Sequence, residues 1–353
     1  MSSFLFFACL AAAGANAGLT LEGPPKVAFL YYDQRNDGGW TTAIDTARLK
    51  LEADFGISMD FVEKVRDDPA MIRPAAEKFI RRGYNIIIGT SFGHTDTLKD
   101  LAAKYPKVAF INISGVKTAA NFASVYGRNY QSQYLCGMAA GAMSKSGKIG
   151  FLAADPFPRV IWAVNAFALG ARKTNPKATV QVVYISAWND PVKERAAASA
   201  LISQGMDVLG QNLDTPTTQI VAEERGVWST GAWLDRSKFA PKTTLCSQIW
   251  TWDRYFTNEL KRIFAGNWQP NQDGEFPGIA EGGTDIACCN AAMPKEVVEQ
   301  IEAERQAIIA GRDVFDGPLS DRDGKERVPA GQKLSDSDLR KIDWYVEGVL
   351  TSN

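Results

Sequence analysis

Val27-Ala28-Phe29-Leu30-Tyr31-Tyr32, followed by Asp33-Gln34-Arg35-Asn36-Asp37-Gly38-Gly39-Trp40, decides the fold. Six consecutive apolar or aromatic side chains with no polar alternation describe a strand covered on both faces, as in parallel sheets flanked by helices. A helix follows: Ile44, Ala47, Leu51 and Phe55 keep helical spacing, with Thr41 placed to cap it and Gly56 to end it. The unit then repeats. Strands are expected at 59–65, 86–88 and 108–113, with a helix from Asp68-Pro69 to Gly83 and another ending at Tyr105. A second series begins near Gly147, with strands at 149–153, 180–184, 207–210 and 227–230 and helices at 160–173, 191–204 and 217–224. Asn189-Asp190-Pro191 repeats the cap-then-proline signal.

Two βαβ series in 353 residues imply an α/β protein of two lobes, each a parallel sheet with right-handed crossovers. The expected division is 25–125 plus about 251–282 for the first lobe, and about 126–250 plus 283–311 for the second. Residues 312–353 read as a tail, with a last helix capped by Ser335 and running over 336–350. Ligands of such sheets bind at the carboxyl ends of the strands. The loops to examine are therefore 33–40, 91–96, 114–115, 155–158, 186–190, 212–217, 231–235 and 248–252.

Net charge is −1, so no nucleic-acid partner is expected. Residues 1–17 carry an uncharged apolar stretch ending in Ala15-Asn16-Ala17, a small-x-small pattern that reads as an export signal cut before Gly18. Soluble export is favoured over anchoring through Cys9, because Phe6-Phe7-Ala8 is a poor lipoprotein signal. In the exported chain Cys246 can pair with Cys288 or Cys289, while Cys136, in an apolar helical stretch, reads as a buried thiol.

The chain has one histidine, His94, at a strand-to-helix turn, and no GxSxG, Walker A or HExxH motif. No catalytic residue, metal or cofactor is expected. Aromatic placement is more informative. Of nine tryptophans, Trp40, Trp188, Trp233, Trp250 and Trp252 fall in the strand-end loops. Paired rings can sandwich a planar ligand, with stacking worth about 0.5–1.5 kcal/mol beyond area burial. Ser91, Asn212, Asp214 and Asp235 supply polar groups for ring edges, and Phe92 lies beside Ser91. Trp162, Trp228, Trp268 and Trp344 read as packing residues.

Four segments stand out together: Asp37-Gly38-Gly39-Trp40-Thr41, Gly89-Thr90-Ser91-Phe92-Gly93, Tyr134-Leu135-Cys136-Gly137-Met138-Ala139-Ala140-Gly141 and Asn165-Ala166-Phe167-Ala168-Leu169-Gly170-Ala171. In them the chain resembles the basic membrane protein family of ABC-transporter substrate-binding proteins. Trp188-Asn189-Asp190-Pro191, Val314-Phe315-Asp316-Gly317-Pro318-Leu319 and Asp343-Trp344-Tyr345-Val346-Glu347-Gly348-Val349 also fit. The resemblance implies a periplasmic-binding-protein type I fold, a purine-type ligand in the interlobe cleft, a membrane permease as partner, a periplasmic location and a monomer. By motif position Trp40 and Trp188 take the places of the two rings that stack on the purine. Family members hold a ribose with an Asp and a Lys where this chain has Trp233 and Trp250. Buried hydroxyls without partners cost about 1–3 kcal/mol each, so a free nucleobase such as adenine is the expected ligand. A nucleoside or a sugar is the alternative.

Overall fold

Every residue of β1 (Val27–Leu30) is buried, as the apolar run requires. The computed structural model describes residues 18–287 and 289–351. The expected export signal and Cys288 lie outside them. After β1 come α1 (Trp40–Phe55), β2 (Met59–Val62), α2 (Pro69–Arg81), β3 (Ile86–Gly89), α3 (Thr95–Lys104), β4 (Ala109–Ile113) and β5 (Phe122–Val125). Their strands form a parallel sheet in the order β2-β1-β3-β4-β5. The second series is α4 (Asn129–Met143), β6 (Lys148–Ala153), α5 (Pro158–Thr174), β7 (Thr179–Tyr184), α6 (Pro191–Ser203), β8 (Val208–Asn212), α7 (Thr217–Glu224), β9 (Trp228–Gly231) and β10 (Thr244–Trp250). Next, α8 (Trp252–Phe264) returns to pack on α1, where Phe264 meets Phe55. β11 (Thr284–Ala287), α9 (Lys295–Ile309), the short pair β12 (Leu319–Ser320) and β13 (Glu326–Val328), α10 (Asp336–Leu339) and β14 (Val349–Thr351) complete the chain's described elements.

The second sheet has the order β11-β10-β9-β8-β6-β7-β14. It is parallel except for the edge strand β11, which runs antiparallel to β10. The small-residue face of α4 lies against α5 and closes that lobe's core. Three passes of the chain join the lobes, and they bond to one another. Tyr126 N–H donates to Glu275 O at 3.0 Å, Arg128 N–H to Pro277 O at 2.9 Å and Thr251 N–H to Gly283 O at 3.3 Å.

Most local signals act as read. Gly56 ends α1 in the left-handed region at φ 65°. Asp68 and Asp190 cap α2 and α6, each with proline in the first turn. Four expectations are corrected. Thr41 does not cap α1; its hydroxyl is buried without a partner. The Asp37 carboxylate does that work, accepting from the backbone N–H of Gly39 (2.8 Å), Thr41 (2.9 Å) and Thr42 (3.0 Å), because the helix begins two residues earlier, at Trp40, with Gly39 at the cap position. The tail helix is a single turn, closed by a Ser335–Asp338 capping box. Beyond it Val346 and Val349 are buried and β14 pairs with β7, so an open sheet edge wins over helix propensity. Trp250 ends a strand rather than lying in a loop. Finally, Cys289 is exposed and does not pair with Cys246, whose sulfur lies 3.3 Å from Cys136; the alternative pairing of Cys246 with Cys288 falls outside the described residues.

Candidate functional site

Among the described residues, four non-glycine residues have positive φ: Lys64, Ser114, Ser186 and Trp233, and each follows the carboxyl end of a strand. Such conformations concentrate where geometry matters more than local comfort. Trp233, at φ 70°, is 3% exposed and is pinned by its own backbone. Its N–H donates to Gln248 Oε1 at 3.3 Å, and its carbonyl accepts from Trp250 N–H at 3.1 Å.

These two indoles lie parallel, with centroids 5.6 Å apart and 9° between planes. Trp252 stacks on the other side of Trp250 at 4.8 Å and 18°. Trp40 meets all three rings edge-on, at 6.1, 5.6 and 6.1 Å from Trp233, Trp250 and Trp252. Tyr126 lies nearly parallel to Trp40 at 6.3 Å, and Trp162 flanks Tyr126. Residues from α1, α5, β10 and α8, and from the segments that follow β5 and β9, thus converge where the two lobes meet.

The first turn of α1 is held against the second lobe. Trp40 N–H donates to Asp214 Oδ1 at 3.1 Å, and Trp40 Nε1–H donates to Thr90 O at 2.8 Å. A Cβ on Gly39 would stand 2.5 Å from Asp214 Cα and 2.6 Å from its Oδ1, so only glycine allows this approach. Arg236, fully buried, spans the gap: its guanidinium donates to Gly38 O in the first lobe and to Asp214 O (2.7 Å) and Ala232 O (3.1 Å) in the second. Burial lowers the Arg236 pKa to about 10, so it keeps its charge at neutral pH. Burial, reinforced by the charge of Asp37, pushes the Asp214 carboxyl up to about 7. The loop bearing Asp214 is fixed from behind by Glu194. That buried carboxylate accepts from the hydroxyls of Thr215 (2.5 Å) and Thr218 (2.7 Å) and from Thr218 N–H (2.8 Å).

On another side of the junction Arg159, at the start of α5, bonds Ser114 Oγ of the first lobe. Its guanidinium carbon lies 5.2 Å from the Phe92 ring and 5.0 Å from the Tyr126 ring. Phe92 is otherwise exposed, and Ser91 contributes its carbonyl to Asn112 at 3.0 Å. Trp188 is half-buried and its carbonyl accepts from Asp214 N–H at 2.9 Å. Among the described residues no ring contact involves it. Asn212, at the end of β8, is buried with Oδ1 unpartnered. Asp235 is exposed and accepts from Ser237 N–H at 2.9 Å.

Of the residues singled out from sequence, Trp40, Asp214, Trp233 and Trp250 come together directly. Sequence reasoning passed over Arg236, Arg159 and Tyr126, and read Trp162, which packs on Tyr126, as a packing residue. Nothing in a lone arginine announces a cross-lobe role, but Tyr126 follows a strand, β5, that the apolar pattern 122–125 would have marked. His94 is a core residue. Its Nδ1 accepts from Thr90 N–H at 3.3 Å, its Nε2 lies 2.7 Å from Val65 O, and burial lowers its pKa. Buried polar atoms without partners include the indole N–H groups of Trp233, Trp250 and Trp252 in the aromatic cluster and, at the end of β8, Asn212 Oδ1. Unpaired buried groups cost about 1–3 kcal/mol each, so their concentration marks a place where a ligand's polar edge can repay the deficit.

Residues 25–314 match the family model of the PnrA-like ABC transporter substrate-binding proteins. The chain belongs to that family. A purine-binding protein of Brucella abortus (strain 2308) is 35% identical over 327 residues, 92% of each chain. A protein of Haloferax volcanii, described provisionally as an ABC transporter glucose-binding protein, is 32% identical over 326 residues, 92% of this chain and 80% of its own. The fold is also that of a solute-binding protein of an ABC transporter system from Conexibacter woesei, with a TM-score of 0.69 at 21% identity over 82% of this chain and 97% of the other. The family is one of extracytoplasmic substrate-binding receptors of ABC transporters, not enzymes, which implies a small-molecule ligand and a permease as partner. No helix among the described residues is long and apolar enough to cross a membrane.

Proposed function

We propose that this receptor binds a free purine base, adenine foremost, in the interlobe cleft, with Trp40 and Trp188 on the two faces of the ring. The observation that carries the reading is the parallel pair Trp233 and Trp250, two large apolar rings at the positions where the resemblance expects the family's ribose-holding Asp and Lys. Their free indole N–H groups and Asn212 Oδ1 offer two donors and one acceptor to a heterocycle edge. Asp214, titrating near neutrality, can accept from a ring N–H when ionised and donate to a ring nitrogen when protonated. Ser91 and Phe92 line the first-lobe edge of the cleft in this reading, and Asp235 assists only if its loop shifts on closure. The Brucella relative's purine-binding description supports the ligand class.

The receptor works as a soluble periplasmic monomer, closing about the three hinge passes so that a permease can recognise the closed form. Calorimetric titration with adenine, adenosine and glucose tests the proposal. Adenine binding at least tenfold tighter than adenosine supports it, and preference for adenosine overturns the nucleobase reading. Binding of glucose alone would favour the ligand class described for the Haloferax relative.

A further inference from the structure

Two fully buried cysteines from distant parts of the chain meet beside the hinge. Cys136, in α4, and Cys246, in β10, are each 0% exposed, and their sulfurs are 3.3 Å apart. That is contact distance for two thiols and leaves about an ångström of approach to a covalent bond. Both elements are anchored: α4 starts just after the first hinge pass, and β10 ends at Trp250, four residues after Cys246, where the second pass begins. The family is extracytoplasmic, where disulfides form and persist.

We propose that Cys136 and Cys246 form a disulfide that ties α4 to the strand carrying Trp250. Two thiols lose two protons and two electrons as the sulfur–sulfur bond forms, and the electrons pass to a dithiol-disulfide oxidant, which leaves as its dithiol. The exchange proceeds through a mixed disulfide with one of the two cysteines, then attack by the other. It takes place while the chain is folding, because in the finished core neither sulfur reaches solvent and the Cys246 thiol, bonded to Cys136 and buried, is held well above its ordinary pKa. The bond closes a loop of 110 residues that contains the whole of β6 to β9, so it restricts the unfolded chain strongly.

The test uses the full chain recovered from the exported fraction without reductant. The protein is denatured, alkylated and digested. Expected are a linked peptide pair containing Cys136 and Cys246, and an intact mass about 2 Da lower than after reduction. In Cys246→Ala, Cys136 becomes alkylated without reductant, and the melting temperature of unreduced protein falls by several degrees. Should Cys246→Ala fail to fold, wild-type peptide mapping alone decides. Alkylation of both cysteines in unreduced wild type, or linkage of Cys246 to Cys288 or Cys289, overturns the proposal.

Discussion

Replacing Gly39 with alanine perturbs lobe closure while leaving every aromatic of the site in place. The added methyl carbon would sit 2.5 Å from Asp214 Cα and 2.6 Å from Oδ1. Neither atom can retreat easily, since the Asp214 loop is fixed behind by Glu194 and above by Arg236. Overpacking of this kind costs about 1–3 kcal/mol. Gly39 and Asp214 stand on different lobes, so the cost falls on the closed state and not on either lobe's own core. The dissociation constant for adenine then rises about 5- to 150-fold, at tenfold for each 1.4 kcal/mol. Titration calorimetry measures this, and small-angle scattering of the ligand-free protein reports the accompanying shift toward a more open shape. A folded Gly39→Ala protein that binds adenine as tightly as wild type refutes the reasoning, because Gly39 would then not govern closure.

Other perturbations give distinct readouts. Arg159→Ala removes the bond to Ser114 and contacts with two rings, each worth about 0.5–1 kcal/mol, so stopped-flow dissociation of ligand accelerates about 5- to 30-fold. Trp250→Ala lowers the melting temperature, in line with the about 3–5 kcal/mol cost of such truncations, and narrows the preference for adenine over adenosine by opening room for a ribose. An unchanged ratio in titrations of both ligands contradicts the role given to that indole. Asp214 has a folded pKa of about 7, above its unfolded value, so the folded state binds the extra proton. Its contribution to stability therefore declines as pH rises from about 4 to about 7, by at most about 4 kcal/mol. Thermal melts across that window should slope less for Asp214→Asn than for wild type; equal slopes refute the assignment.

The two-sheet plan was legible because buried parallel strands are written as short continuous apolar runs, such as Val27-Ala28-Phe29-Leu30 and Ile86-Ile87-Ile88. Caps at Asp68 and Asp190 were equally plain, since proline in the first turn leaves little else for them to do. What escaped depends on partners remote in sequence. β14 is three residues long and exists because β7 offers an open edge. Asp37 takes over as the cap of α1 because the chain before Trp40 curls back on the helix start. Tryptophans at strand ends pointed to the aromatic cluster between the lobes, yet their mutual stacking could not be read, because Trp233 reaches Trp250 only through a left-handed turn that a bulky residue rarely adopts. Arg236 was invisible for a related reason. Its importance lies in three backbone carbonyls, and carbonyls leave no trace in the identity of residues.

The two sheets also differ in when they can be finished. All strands of the first lie between Val27 and Val125. The second draws on three separate pieces: strands from Lys148 to Gly231, then β10 and β11, and finally β14, which arrives 165 residues after the end of β7. A chain emerging from synthesis or from a translocation pore, amino end first, can assemble the first sheet early. The second keeps an unpaired edge on β7 until Val349–Thr351 emerge. The lobe that carries Asp214, Trp233 and Trp250 is therefore the last to be completed.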